Sequence, residues 1–194
     1  MRIRRKLLLL IALTSFSFSC ATAPPNLSGV RSERIAVPAT KVIIADYIRQ
    51  NKYSPYEAIW SSGFHPLPND ATIPPFTELI LKNLKTRLHG DAGDGGANLE
   101  IAVLDASLLM ESHIADSIAF VGVASAFSER RYMCSIDLSF RYGDKAVRKA
   151  FEAVDSKSRF WGDLPTNEKA AMVRSLLDQV VGDIARFSSE LIGQ

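Results

Sequence analysis

The sequence predicts an α+β domain: a two-layer sandwich with a mostly antiparallel sheet, in the order β-α-β-β-β-α, with both helices on one face. Two patterns carry this expectation. Over residues 131–142 apolar and polar side chains alternate with a period of two, as in a strand with one face on a core. Over residues 166–192 apolar side chains recur at spacings of three and four, as in a helix with one apolar stripe. The chain has 194 residues, of which 47% are hydrophobic and 23% charged, enough for one domain with its own core.

The elements follow in order. Residues 41–48, KVIIADYI, are rich in β-branched side chains and form the first strand. Residues 49–75 read as a loop, with Pro55, Gly63, Pro66, Pro68, Pro74 and Pro75 among them. Pro75 opens a helix, where its missing N–H costs nothing. Phe76, Leu79, Ile80, Leu84 and Leu88 keep helical spacing, and Gly90 is a natural stop. Residues 90–96, GDAGDGG, are a turn, and Leu99, Ile101 and Val103 alternate at the start of a strand over 97–111.

The strand over 131–142 puts Tyr132, Cys134, Ile136, Leu138, Phe140 and Tyr142 on its core face. Cys134 is therefore expected as a small buried hydrophobe. Residues 143–146, GDKA, turn into a last strand over 147–160, whose poorer alternation suits a sheet edge. The last helix presents Val173, Leu177, Val180, Ile184, Phe187 and Leu191 as its stripe.

The N-terminus reads as an export signal. Residues 1–6, MRIRRK, are basic, and residues 7–18, LLLLIALTSFSF, are an apolar run of twelve. That is shorter than the ~20 residues needed to cross a bilayer, and it lacks the polar face of a core helix. Removing residues 1–19 takes away Arg2, Arg4, Arg5 and Lys6 and no acid. This leaves 19 basic and 21 acidic residues, a net charge of −2. Such a balance gives no global electrostatic argument for nucleic acid.

Two cleavage sites present themselves. Ser19–Cys20 resembles the lipobox of bacterial lipoproteins, a small residue before a cysteine that becomes lipidated, although Ser17 stands where that pattern has Leu. Ala21-Thr22-Ala23 has the A-x-A form of a soluble-protein signal, but Pro24 would follow the scissile bond. Proline lacks an N–H and fixes φ, so it is a poor extended substrate. Cleavage at Cys20 is the favoured reading. The division is then a signal over 1–19, a lipidated N-terminus and flexible tether over 20–33, and one domain over 34–194. With Cys20 lipidated, Cys134 has no disulfide partner; otherwise the two could pair in an oxidising periplasm.

A signal with a lipidation cysteine, a proline-containing tether and this element order together resemble small Gram-negative envelope lipoproteins. The layout is similar to the YajG-type uncharacterised lipoproteins. It is more loosely similar to the lipoprotein subunit of the lipopolysaccharide-assembly translocon and to auxiliary lipoproteins of lipid-transport ABC systems. The resemblance implies a non-enzymatic protein that binds an envelope protein or lipid partner. It also implies acyl chains on Cys20, which as two or more give stable membrane anchoring. Ala21 after that cysteine implies the periplasmic face of the outer membrane. Anchoring at the inner membrane and a soluble periplasmic form are the alternatives.

Catalytic and metal motifs are not found. His65, His89 and His113 have no second ligand at metal spacing, and HExxH and CxxC are absent. His89 is expected at a helix C-terminus, in a capping role. Residues 91–96 lack oxygen side chains at the third and fifth positions of a calcium loop, no Glu stands at the twelfth, and no GK[ST] follows, so no cofactor is expected. Two segments carry a functional signal. Residues 117–127, SIAFVGVASAF, place Ile118, Phe120, Val121, Val123 and Phe127 where a polar hairpin tip is usual. They are either an exposed contact tip or core within longer strands. The loop with Tyr53, Tyr56, Trp60 and Phe64 is either an aromatic binding surface or a lid on a sheet edge.

Overall fold

The computed structural model describes residues 23–29, 33–48, 62–92, 96–112, 129–158 and 164–193. The architecture is α+β, with a mixed and mostly antiparallel sheet. Its elements are β1 (Ile35–Val37), β2 (Val42–Asp46), β3 (Gly63–Pro66), a 3₁₀ turn (Asn69–Ala71), α1 (Phe76–Arg87), β4 (Leu88–Gly90), β5 (Leu99–Ser112), β6 (Glu129–Tyr142), β7 (Lys145–Ser158) and α2 (Thr166–Gly193).

The expected strands over 41–48, 97–111, 131–142 and 147–160 correspond to β2, β5, β6 and β7. The order is longer than β-α-β-β-β-α, because β1, β3 and β4 join it. The sheet runs β2-β5-β6-β7, and β3 pairs with the far end of β5 beyond β2. β2 lies parallel to β5, with Val42 opposite Leu99, and the chain between them passes through α1. β7 ends the strand order, as its weak alternation suggested.

Register puts the apolar sets on one face. Ile101 stands opposite Phe140, and Val103 opposite Leu138. A bulge between Val103 and Asp105 then resets the alternation, so that Ala106 faces Ile136 and Leu108 faces Cys134. All of these side chains are buried with Ile80 and Leu84 of α1 and Leu177, Val180 and Ile184 of α2 in one core. Both helices therefore cover the same face of the sheet. Phe140, Phe151 and Phe187 meet edge to face, with centroids 5.0 to 5.9 Å apart, where α2 crosses β6 and β7. Such burial of apolar area is the main favourable term in the fold.

Three sequence expectations need correction. The stretch over 49–75 is not all loop: β3 and the 3₁₀ turn lie in it. The turn caps α1, since Asn69 Oδ1 accepts from the Thr77 N–H at 3.0 Å and its Nδ2 donates to Thr77 Oγ1. An orphan donor at the helix start is thereby satisfied from outside the helix. Second, α1 stops at Arg87, not at Gly90. Leu88 turns extended, and Leu88–Gly90 form β4, parallel to β1. Gly90 serves close approach there: a Cβ would lie 2.5 Å from the Ala39 carbonyl oxygen and 2.6 Å from that of Thr40.

The third correction concerns the N-terminal segment expected as a flexible tether. Residues 23–29 are folded onto the domain. Asn26 bridges Ile73 in parallel. The Leu27 N–H donates to the Ile73 carbonyl at 2.6 Å, and the Ile73 N–H donates to that of Pro25 at 3.0 Å. Leu27 is 1% exposed and belongs to the core. One apolar residue with a backbone ladder is enough to hold a segment that composition marks as linker.

Candidate functional site

With both helices on one face, the other face of the sheet is open. On it Ala45 of β2 stands opposite Ala102 of β5, and Ile43 opposite Glu100. The two alanines set a low floor. Ile43, Tyr47, Leu104, Ser139 and Arg141 rise around it and enclose a groove of about 500 Å³. Tyr47 is 65% exposed at its rim. Arg141 pairs with Glu100, its cross-strand neighbour at the rim, at 3.7 Å.

The rest of that face is polar with apolar points. Arg148 of β7 reaches Asp137 of β6 with both Nε and Nη2, the former at 3.1 Å. That hydrogen bond and the carboxylate charge raise the guanidinium above its already high pKa. Nearer the other end, Arg131 pairs with Glu111 at 3.2 Å and lies 5.5 Å from the centroid of Phe64. Phe64 is thus half-buried in β3, and it is the one residue of the expected aromatic loop that can be placed. Tyr53, Tyr56 and Trp60 lie outside the described residues.

A second cavity, of about 350 Å³, opens between residues 23–29, which form an N-terminal strap, α2 and the far ends of β5 and β6. Pro24, Leu67, Met110, Tyr132 and Val173 give it an apolar lining, and Asp70 and Lys169 contribute charge. It is within the usual size range of small-molecule sites. No sequence signal marked it, because its walls come from five separate segments.

Ser19 and Cys20 lie outside the described residues, as do Ile118, Phe120, Val121, Val123 and Phe127. The ends of the segment bearing the latter five are placed. β5 leaves at Ser112 and β6 enters at Glu129, at one pole of the sheet. Of the histidines, His113 is outside the described residues. His65 sits half-buried in β3. His89 does not cap α1 but lies in β4, where its buried Nδ1 has no hydrogen-bond partner among the described residues. Among the described residues no three His, Cys, Asp or Glu side chains are grouped to hold a metal ion. Cys134 is fully buried on β6, and burial pushes its thiol up to about 12. Among the described residues no helix is long and apolar enough to cross a membrane.

No family model matches the chain, and no curated protein does. Among solved structures the chain is similar to a minor lipoprotein from Acinetobacter baumannii, at 9% identity over 79% of this chain and 93% of that one, with a TM-score of 0.41. It is also similar to an uncharacterized protein, at 8% identity over 84% and 97% of the two chains, with a TM-score of 0.39. A Xanthomonas campestris protein matched to the DUF330 family is similar at 13% identity over 89% and 90%, with a TM-score of 0.32.

Proposed function

We propose that this chain is an exported envelope lipoprotein of the YajG-type layout, anchored through Cys20 at the periplasmic face of the outer membrane. Its domain is a non-enzymatic module that binds or assembles with an envelope protein. The observation that supports a binding role is the open sheet face. The groove over Ala45 and Ala102 offers apolar floor, an exposed tyrosine and an ion pair at its rim. Buried aromatic anchors within a polar rim are the usual make-up of a protein interface.

A photo-reactive phenylalanine analogue at position 47 tests the face. It should give the same crosslinked partner in repeated membrane preparations. Absence of a repeated partner, in folded and acylated protein, would sink the reading. The anchor has its own test. A fatty-acid probe should label the wild type and not Cys20→Ala, and label retained in the variant would refute it.

A second reading is an accessory to lipid or lipopolysaccharide transport, favoured by the apolar cavity beside Pro24, Met110 and Tyr132. The 117–127 segment would then touch acyl chains. Native mass spectrometry should find lipid on the protein, and Phe120→Asp should weaken its retention. Only empty protein, with the substitution harmless, removes this reading.

A further inference from the structure

We infer that the domain is seated directly on the membrane surface by one defined pole, and does not hang from it on a leash. The partner is a phospholipid bilayer and its headgroups, and the contacting pole is the end where α2 begins. This rests on the lipidation of Cys20 proposed above.

The first observation is how little chain lies between anchor and fold. The strap is part of the domain from Ala23 onward: Thr166 Oγ1 donates to the Ala23 carbonyl at 3.2 Å, and the Pro25–Leu27 ladder with Ile73 follows. Ala23 is three residues after Cys20. Three residues reach about 11 Å at full extension, which is less than the thickness of a small domain. An acylated Cys20 at the headgroup level must therefore hold Ala23 and Thr166 close to that level.

The second observation is which end this is. Lys157, at the end of β7, lies 3.9 Å from Glu168 in the first turn of α2. Lys145, at the start of β7, donates to the Leu191 carbonyl in the last turn. Helix α2 therefore runs back along β7, and Ala23 sits at the pole of Ser112, Glu129 and Ser158. The same pole carries Ile73, 48% exposed beside the strap. The turn at Gly143 and Asp144 forms the opposite pole. The strands between the poles have 14 residues each. At a rise of ~3.4 Å per residue they hold the poles roughly 45 Å apart. A leash of about 11 Å ties the strap pole to the headgroups and leaves the opposite pole tied to nothing.

The experiment uses the full acylated chain in phosphatidylethanolamine–phosphatidylglycerol vesicles that carry a headgroup-linked quencher. One variant has a fluorophore on Asn167→Cys, and the other on Asp144→Cys; both positions are exposed. Cys134 is buried and stays unlabelled. The label at 167 should lose most of its emission and the label at 144 should keep nearly all. Equal quenching, or stronger quenching at 144, in protein whose mass shows the acyl chains overturns the seating alone. A mature mass without acyl chains overturns the anchor and the seating together. Insertion of about ten Gly/Ser residues between Thr22 and Ala23 should reduce the contrast, because such a linker is flexible. An undiminished contrast overturns the short leash as its cause.

Discussion

Arg87 Nη1 donates to Asp178 Oδ1 at 2.5 Å, which ties the last turn of α1 to the middle of α2 across 91 positions of sequence. The arginine side chain is 7% exposed and the aspartate 58%. The Arg87 Nε also donates to the Glu33 carbonyl at 3.2 Å, so the same guanidinium holds the segment leading into β1. One side chain joins α1, α2 and the segment before β1.

The pair should be asymmetric on mutation. Arg87→Ala removes buried stem and two contacts, and should cost about 2–3 kcal/mol. Asp178→Ala removes a carboxylate that is 58% exposed, whose place beside Arg87 Nη1 water can take, and should cost roughly 1 kcal/mol. Urea unfolding midpoints compare the two. Equal and negligible losses would show that the contact does not support the fold.

Leu27→Ala should cost about 2–4 kcal/mol, the usual range for truncating a buried leucine. A tether residue would cost nothing, so the thermal midpoint of this variant measures whether the strap belongs to the domain.

The glycines give a paired prediction. Gly90→Ala must push a Cβ against two backbone oxygens, which cannot swing away, and should cost about 1–3 kcal/mol. Gly182, inside α2, has nothing within 4 Å of such a Cβ. Gly182→Ala should add about 0.5–1 kcal/mol through helix propensity. Opposite signs in chemical unfolding are expected, and like signs would contradict the packing at β4.

Cys134 should be inert to a water-soluble disulfide reagent in native Cys20→Ala protein and react once the chain unfolds. Fast native reaction would contradict its burial. The folded pKa, about 12, is raised above the unfolded value of 9.0. The native state therefore holds its proton longer than the unfolded state does. The stability this contributes is complete below about pH 9 and is lost as pH rises towards 12. Cys134→Ala should flatten that alkaline fall; an unchanged slope would assign it to other groups.

The open face is partly legible in the sequence. Arg131, Ser135, Asp137, Ser139 and Arg141 are the polar half of the β6 alternation, and that half identifies a face not covered by helices. The groove is not legible. Ala45 and Ala102 are 57 positions apart, and only the parallel register of β2 on β5 brings the two small side chains together. The cavity beside Pro24 is further still from sequence reading, since helix, strand ends and strap all meet there.

By itself the sequence determined the α+β class, the extent of β6 and α2, the inward place of Cys134 and the edge position of β7. Each of these is written in neighbouring residues, because the periods of strand and helix repeat every two and every 3.6 residues. Tertiary structure alone decided that residues 23–29 fold onto the domain, that Gly90 lies in a strand, that β3 completes the sheet and that Arg87 finds Asp178. These depend on short segments with too little local pattern to declare themselves. Leu27 is a linker residue until Ile73 offers it a backbone partner and the core offers it a place, and no local period records that meeting.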